Sequence, residues 1–348
     1  MEDKDQTAKL GRLCIEFLDG MLEEINRFGD DVYVIDNERL ASLNIRKAEP
    51  LDIEEKRVDF GPRFFCPRFT LEETRQKTSD FLADAYPDRT EYPEWRKRCR
   101  RGSYSEFVWG EEPGPHDPED FHPLCTPMTD AERRLEWCEE VMGGSGPDES
   151  PNRGVWDGSC WRYLASWHLI PDEWGNSSLP GHHGSVRVGR PARFYTFDVN
   201  RAFLIEDRFA DMPHIGGTVV DAAESGEGEV LRSEVVAAVA LLKLQFRLDH
   251  FCRHHTLPAI VFSFQHDNLG RVSQFHCHGK SLVLRQSRLL DFRSDEPTTD
   301  AYQMLRWMAN RPMGETRFPN AVDGEVEGCG FWDTDKDDGK LPVDVRGG

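Results

Sequence analysis

"LPAIVFSFQHDNLGRVSQFHCHGKSLVLRQS", residues 257–287, is the stretch on which the fold turns. Three runs rich in Val, Ile, Phe and Leu, at 258–264, 271–277 and 281–287, are joined by short turns at "DNLGR" and "HGK". β-Branched and aromatic residues favour a pleated surface, and connections this short join strands that run in opposite directions. The stretch predicts an antiparallel meander of three strands. Working outward, "VLRSEVVAAVALLKLQFRLDHFCRH" (230–254) is apolar on a broad face through Leu231, Val235, Val239, Leu242 and Phe246, and predicts a buried helix closed by "HTLP". Further upstream, "RFYTFDVNRAFLIED" (193–207) and "GGTVVD" (216–221) have strand composition, and downstream "DAYQMLRWMAN" (300–310) has a helical period. The order β, α, β, β, β, α defines an α+β fold, with helices packed on a mainly antiparallel sheet.

The same block resembles a large family of uncharacterised proteins of filamentous ascomycete fungi. In that family a V-x-V-F-S-F run is followed by G-R-[IV]-x-Q, a glycine turn and L-V-[IL]-R-x-S-[KR]-L-x-D-F. The matching positions here are Phe262, Ser263, Phe264, Gly270, Arg271, Gln274, Gly279, Leu282, Val283, Arg285, Ser287, Leu289, Asp291 and Phe292. The resemblance spans about 193–318 and implies a fungal, intracellular protein. It brings no catalytic residue with it, and the His276-Cys277-His278 triplet lies outside the shared pattern.

The rest of the chain divides by composition. Residues 9–28 place Leu10, Leu13, Cys14, Phe17, Leu18, Met21, Leu22, Ile25 and Phe28 at steps of three and four, one apolar stripe on an amphipathic helix. Such a helix either docks on its own domain or meets a protein partner. A second helix is expected at "TLEETRQKTSDFLADAY", opened by a capping box from Thr70 to Glu73. Prolines at 113, 115, 118, 123 and 127 exclude regular structure there, and Thr129 with Glu132 then caps a short helix before "GGSGPDESPNRG". Four units follow: a partly helical region 1–110, a Pro/Gly-rich linker 111–155, the α+β core 156–318 and an acidic tail 319–348 expected to be disordered. Trp156, Trp161, Trp167 and Trp174 crowd the start of the core, either to anchor its edge or to line a groove.

Composition narrows the class. A chain of 348 residues can bury a sizeable core without disulfides, and its nine cysteines contain no Cys-x-x-Cys pair, which favours a reducing compartment. The amino terminus carries no signal-peptide pattern, and no run approaches the roughly 18 apolar residues that span a bilayer. The net charge is −20, although 231–318 carries twelve Lys and Arg against eight Asp and Glu. A surplus of four cations is a weak footprint for a polyanion, so nucleic acid is a disfavoured partner.

Chemistry converges on one cluster. On a single helix through 254, His250 and His254 would stand one turn apart, and on a strand His276 and His278 would share a face. Two such imidazole pairs could hold zinc or another transition metal. Against this, no Glu accompanies the helical pair, and histidines at a helix C-terminus ordinarily serve its last carbonyls. The order helix, three strands, helix also invites comparison with PD-(D/E)XK nucleases, with Glu234 as the helix carboxylate. The second and third strands should then bring Asp and Glu-x-Lys to magnesium, yet "RVSQFHC" and "SLVLRQS" hold no acidic residue, which fits only an inactive relative. Phosphate-loop, dinucleotide, nucleophile-elbow and kinase signatures are absent from the sequence. The sequence thus points first to a non-enzymatic intracellular interaction or scaffold module, with a protein partner met through the 9–28 helix. A metal-dependent enzyme using His250, His254, His276 and His278, and an inactive nuclease-fold protein, are the alternatives, and whether the chain is an enzyme stays open.

Overall fold

In the computed structural model the 257–287 meander forms the centre of an eight-stranded mixed sheet. The structure describes residues 2–29, 32–56, 59, 61–85, 125–142, 161–163, 186–188, 193–195, 197–205, 212–247, 254–294 and 296–318. The first elements are α1 (Glu2–Asn26), β1 (Val34–Ile35), α2 (Asn37–Ser42), β2 (Ile45–Lys47), β3 (Phe65–Pro67), α3 (Leu71–Ala85) and α4 (Cys125–Met142). Next come β4 (Trp161–Tyr163), β5 (Val186–Val188), β6 (Arg193–Tyr195), β7 (Phe197–Ile205), β8 (Ile215–Asp221), β9 (Val230–Leu231) and α5 (Arg232–Arg247). The chain continues through β10 (Pro258–Gln265), β11 (Leu269–His278), β12 (Ser281–Gln286), β13 (Leu290–Asp291), α6 (Thr299–Met308) and β14 (Asn310–Pro312).

The main sheet runs β2-β12-β11-β10-β8-β7-β4, with β13 added beside β11. Most neighbours are antiparallel, while β2 with β12 and β8 with β10 are parallel. The fold is α+β, as the sequence predicts. The meander is formed as expected, with its first turn tightened: a 3-10 turn at His266–Asn268 reverses the chain, so Leu269 and Gly270 already belong to β11. Gly279 turns β11 into β12 at φ 61°, a conformation open to glycine and costly for most other residues.

Strand alternation builds two cores. On β10, Ile260, Phe262 and Phe264 face one layer, formed with α4, α6 and the end of α3. Ala259 and Val261 face the other, formed with α5 and α1. Val235 to Val239 and Leu241 to Leu242 are buried all round α5, because that helix lies between the sheet and α1. Leu18, Met21 and Ile25 of α1 are spent on this contact, so the amphipathic stripe docks on its own fold. Each fully buried Leu, Ile or Phe contributes about 1.5–3 kcal/mol, so the stripe is a substantial part of the core.

Two short strands within residues 45–67 pair with the carboxy-terminal core. β2 extends it beside β12, and β3 pairs with β14. Arg285, on the face of β12 away from α5, donates Nε to Glu49 O (2.9 Å), Nη1 to Pro62 O (3.0 Å) and Nη2 to Asp59 Oδ1 (2.6 Å). Gln274 accepts from Phe64 N (3.0 Å) and donates to Pro62 O (2.9 Å), clamping the same segment. The Thr70–Glu73 capping box forms as predicted, Thr70 N donating to Glu73 Oε2 (2.8 Å) and Glu73 N to Thr70 Oγ1 (3.2 Å). α4 begins at Cys125, ahead of the expected Thr129 cap, since Pro127 falls in its first turn where no intrahelical N–H is needed. Trp161 anchors the core edge, donating Nε1 to Asn310 O (2.8 Å) and meeting the rings of Phe65 and Phe203. The 319–348 tail, the "GGSGPDESPNRG" run and the other three tryptophans of its neighbouring cluster lie outside the described residues.

Two glycines permit close approach of rings to backbone. A Cβ at Gly216 would overlap the Phe203 ring, and one at Gly270 would overlap Phe292. Gly216→Ala and Gly270→Ala should each cost about 1–3 kcal/mol by overpacking, read from the midpoint of urea unfolding. A loss below a few tenths of a kcal/mol would mean that the rings move aside freely.

Candidate functional site

α5 starts directly after β9, and its first turn carries Glu234 at the positive end of the helix dipole. The carboxylate is fully buried against the sheet. Its Oε1 accepts from Ser263 Oγ (2.6 Å) and Ser273 Oγ (3.5 Å), and its Oε2 from Leu231 N (3.2 Å) and Gln286 Nε2 (3.1 Å). The Leu231 bond is a capping contact, while the others come from β10, β11 and β12. Arg271 of β11 adds a guanidinium 3.7 Å away, and both side chains of this ion pair are 0% exposed. Strand alternation explains the assembly: Ser263, Arg271, Ser273 and Gln286 occupy the face that β10, β11 and β12 turn towards α5.

The polar layer extends sideways. Arg271 donates Nη2 to Gly226 O (2.9 Å) and Nη1 to Glu229 O, pinning the loop that leads into α5. Gln265 Oε1 accepts from Ser225 N (3.1 Å) and Ser225 Oγ (2.9 Å). Asp221, at the end of β8, accepts from Ala223 N (2.7 Å) and from Ser233 Oγ. Lys47 of β2 reaches Gly228 O, and burial, helped by nearby Arg271, lowers its ammonium below the usual lysine range. Outside the pinned loop lies an open cleft of about 620 Å³, bordered by Val32, Tyr33, Arg39, Glu224, Gly226 and Glu229.

This arrangement neutralises a carboxylate rather than exposing one. A divalent oxygen-ligand site needs several oxygen donors free to turn towards one ion, and Glu234 has both oxygens committed to protein donors beside a cation. Its strand neighbours are hydroxyls, an amide and a guanidinium. Among the described residues, no group of three or more His, Cys, Asp or Glu side chains is placed to hold a metal ion.

Of the four expected histidine ligands, the structure describes His254, His276 and His278. The helix expected through 254 is α5, which ends at Arg247, and His250 lies outside the described residues. His254 sits beyond the helix in a bridge to Arg317, its Nδ1 bonded to Thr316 Oγ1 (2.8 Å). His254 therefore does not lie on α5, and the expected pairing with His250 falls outside the described residues. His276 and His278 do share one face of β11, but His276 is buried edge-on to Phe64 and His278 is exposed. Burial pushes the His276 imidazole down to about 4, reinforced by His278, Arg46 and Arg285. Cys277 faces the opposite way, into the α1–α5 core.

Glu234 was singled out from the sequence, whereas Ser263, Arg271, Ser273 and Gln286 were not recognised as its partners. Their signal is the presence of Arg271 and Arg285 inside otherwise apolar strands, since a buried guanidinium requires partners. No family model, curated protein or solved structure matches this chain. Among the described residues no helix is long and apolar enough to cross a membrane.

Proposed function

We propose that the chain is a non-enzymatic interaction or scaffold module, intracellular and with a protein partner, whose core resembles an inactive PD-(D/E)XK nuclease. The observation that carries this reading is the sequestration of Glu234 by Ser263, Gln286 and Arg271. The nuclease comparison rests on a helix with a first-turn carboxylate followed by three antiparallel strands, with β8 parallel to the first of them. Where that chemistry would place carboxylates on the second and third strands, the α5-facing side chains are Arg271, Ser273 and Gln286. Hydroxyls and amides can hold a carboxylate in a fixed place but do not assemble a two-carboxylate magnesium site. A net charge of −20 further supports a protein rather than a polyanion as partner.

The test is a cleavage assay on single- and double-stranded DNA and on RNA, with magnesium or manganese, beside a general hydrolase panel. The full chain should show no turnover above that of Glu234→Gln. Metal-dependent cleavage by the wild type, lost in a Glu234→Gln protein whose circular dichroism is unchanged, would overturn the reading and restore Glu234 as a metal ligand.

A further inference from the structure

The apolar stripe of α1 lies inside the fold, so a partner protein has to be met on another surface. The open cleft beside the loop that enters α5 has a volume of about 620 Å³, within the range of roughly 300–1,000 Å³ that ligand pockets occupy. Val32, Val34 and Leu269 give it a half-buried apolar border, and Tyr33 stands there 44% exposed. An amphipathic ring left in water at the edge of a concavity is a ready contact for another chain. The loop adds two exposed carboxylates, Glu224 and Glu229.

The border keeps an acidic excess on a fixed frame. Ser225 N and Oγ donate to Gln265 Oε1 (3.1 and 2.9 Å), and Gly226 O and Glu229 O accept from the buried Arg271 guanidinium. The backbone that carries both carboxylates is therefore tied to the sheet, and binding costs little ordering entropy there. Glu229 Oε2 accepts from Gly226 N (2.7 Å), while Glu224 makes no hydrogen bond or ion pair among the described residues. Arg39, the cation of this border, is already engaged by the Asp36 carboxylate and lies over the Phe28 ring (5.7 Å). Lys47 acts on Glu229 but meets the loop at Gly228 O and is not part of the border.

We propose that this cleft docks a basic segment of a partner protein, seating one lysine or arginine side chain against Tyr33, Leu269, Glu224 and Glu229. Such a side chain has an aliphatic stem for the apolar border and a charged head for the carboxylates, and the Tyr33 ring can face the cation. The open shape suits a chain that passes through, where an enclosed cavity would suit a small molecule. Docking rests on the protein-partner reading given above and adds the partner's chemistry. Because the carboxylates are exposed, the attraction is screened by salt, and acidic segments are turned away by a chain of net charge −20.

The experiment is an affinity selection on the full chain. Pools of N-acetylated heptapeptide amides, with lysine, arginine, glutamate or norleucine fixed at the centre and the other positions mixed, are incubated with the protein. Retained peptides are separated by size exclusion and identified by mass spectrometry. The lysine and arginine pools should be retained about tenfold above the glutamate and norleucine pools, and the preference should fade as salt is raised from about 50 mM to 0.5 M. Glu224→Gln with Glu229→Gln should lower retention about tenfold, and Tyr33→Ala several-fold, with urea midpoints confirming that each variant folds. A second chain, with Arg96, Lys97, Arg98, Arg100 and Arg101 changed to glutamine, removes competition from the protein's own basic run. No retention by either chain, equal retention of the norleucine pool, or retention unaffected by the double Glu→Gln change would overturn the docking. Hydrolysis of a retained peptide, visible in the same spectra, would count against the non-enzymatic reading and leave the docking in place.

Discussion

Arg271→Met is expected to lower the folding free energy by about 3–5 kcal/mol, because it leaves the Glu234 carboxylate buried without its cation. The loss has two parts. Glu234 keeps its hydroxyl and amide donors, but these do not balance a full negative charge at 0% exposure. The loop before α5 also loses the bonds that hold Gly226 O and Glu229 O. Lys47 also interacts electrostatically with Glu234, yet it lies on the edge strand and is itself partly desolvated, so it replaces Arg271 poorly. Glu234→Leu alone should cost a similar amount, since it strands the guanidinium instead. The double variant, with both charges removed, should recover much of the deficit, giving strong coupling in a double-mutant cycle read by urea unfolding. Additive losses would show that the two residues stabilise the fold separately.

A drop in stability of about 3 kcal/mol per histidine is expected as pH falls from about 6.5 to 4, from His214 and His276. Burial pushes each imidazole down to about 4 from an ordinary value of 6.5. His214 has Nε2 against Met313 O (3.0 Å) and its ring edge-on to Phe65, while Nδ1 of both histidines has no hydrogen-bond partner. The unfolded chain takes up protons at these positions near 6.5, whereas the folded chain resists until about 4. Over that window the unfolded state binds more protons, so stability falls with falling pH and levels off below the folded values. His276→Leu should remove roughly half of this pH slope, measured as urea midpoints at a series of pH values. An unchanged slope in that variant would sink the account, whatever its effect on stability at neutral pH.

The meander was legible because each of its strands is long enough to show composition and is bounded by a local turn. The stripe of α1 was legible for the same reason, since Leu18, Met21 and Ile25 repeat within one helix. β2 and β3 were not, because Ile45–Lys47 and Phe65–Pro67 are too short to carry a pattern, and their partners are Leu282–Leu284 and Asn310–Pro312. Composition set the division at 110, while the contacts of Arg285 and Gln274 with Glu49, Asp59, Pro62 and Phe64 join sequence-distant segments and leave no local pattern to read. The Glu234 network was half visible. The missing carboxylates in the strands could be counted, whereas the meeting of Ser263, Ser273, Arg271 and Gln286 depends on strand register, which periodicity alone leaves open. Of the expected histidine set, His254 lies in a bridge to Arg317 rather than on α5 and His250 falls outside the described residues, and helix ends are the least legible part of a pattern.

The pairing of β2 with β12 and of β3 with β14 also sets a timetable for synthesis. The ribosome delivers residues 45–67 early, but the strands that complete them come from 282–284 and 310–312, close to the end of the described chain. At about 5–20 residues per second, that interval lasts on the order of 12 to 50 seconds. During it, Phe64 and Phe65, destined for the core, have neither the β14 edge nor the Gln274 clamp to receive them. The chain therefore emerges with β2 and β3 unpartnered until the carboxy-terminal strands arrive.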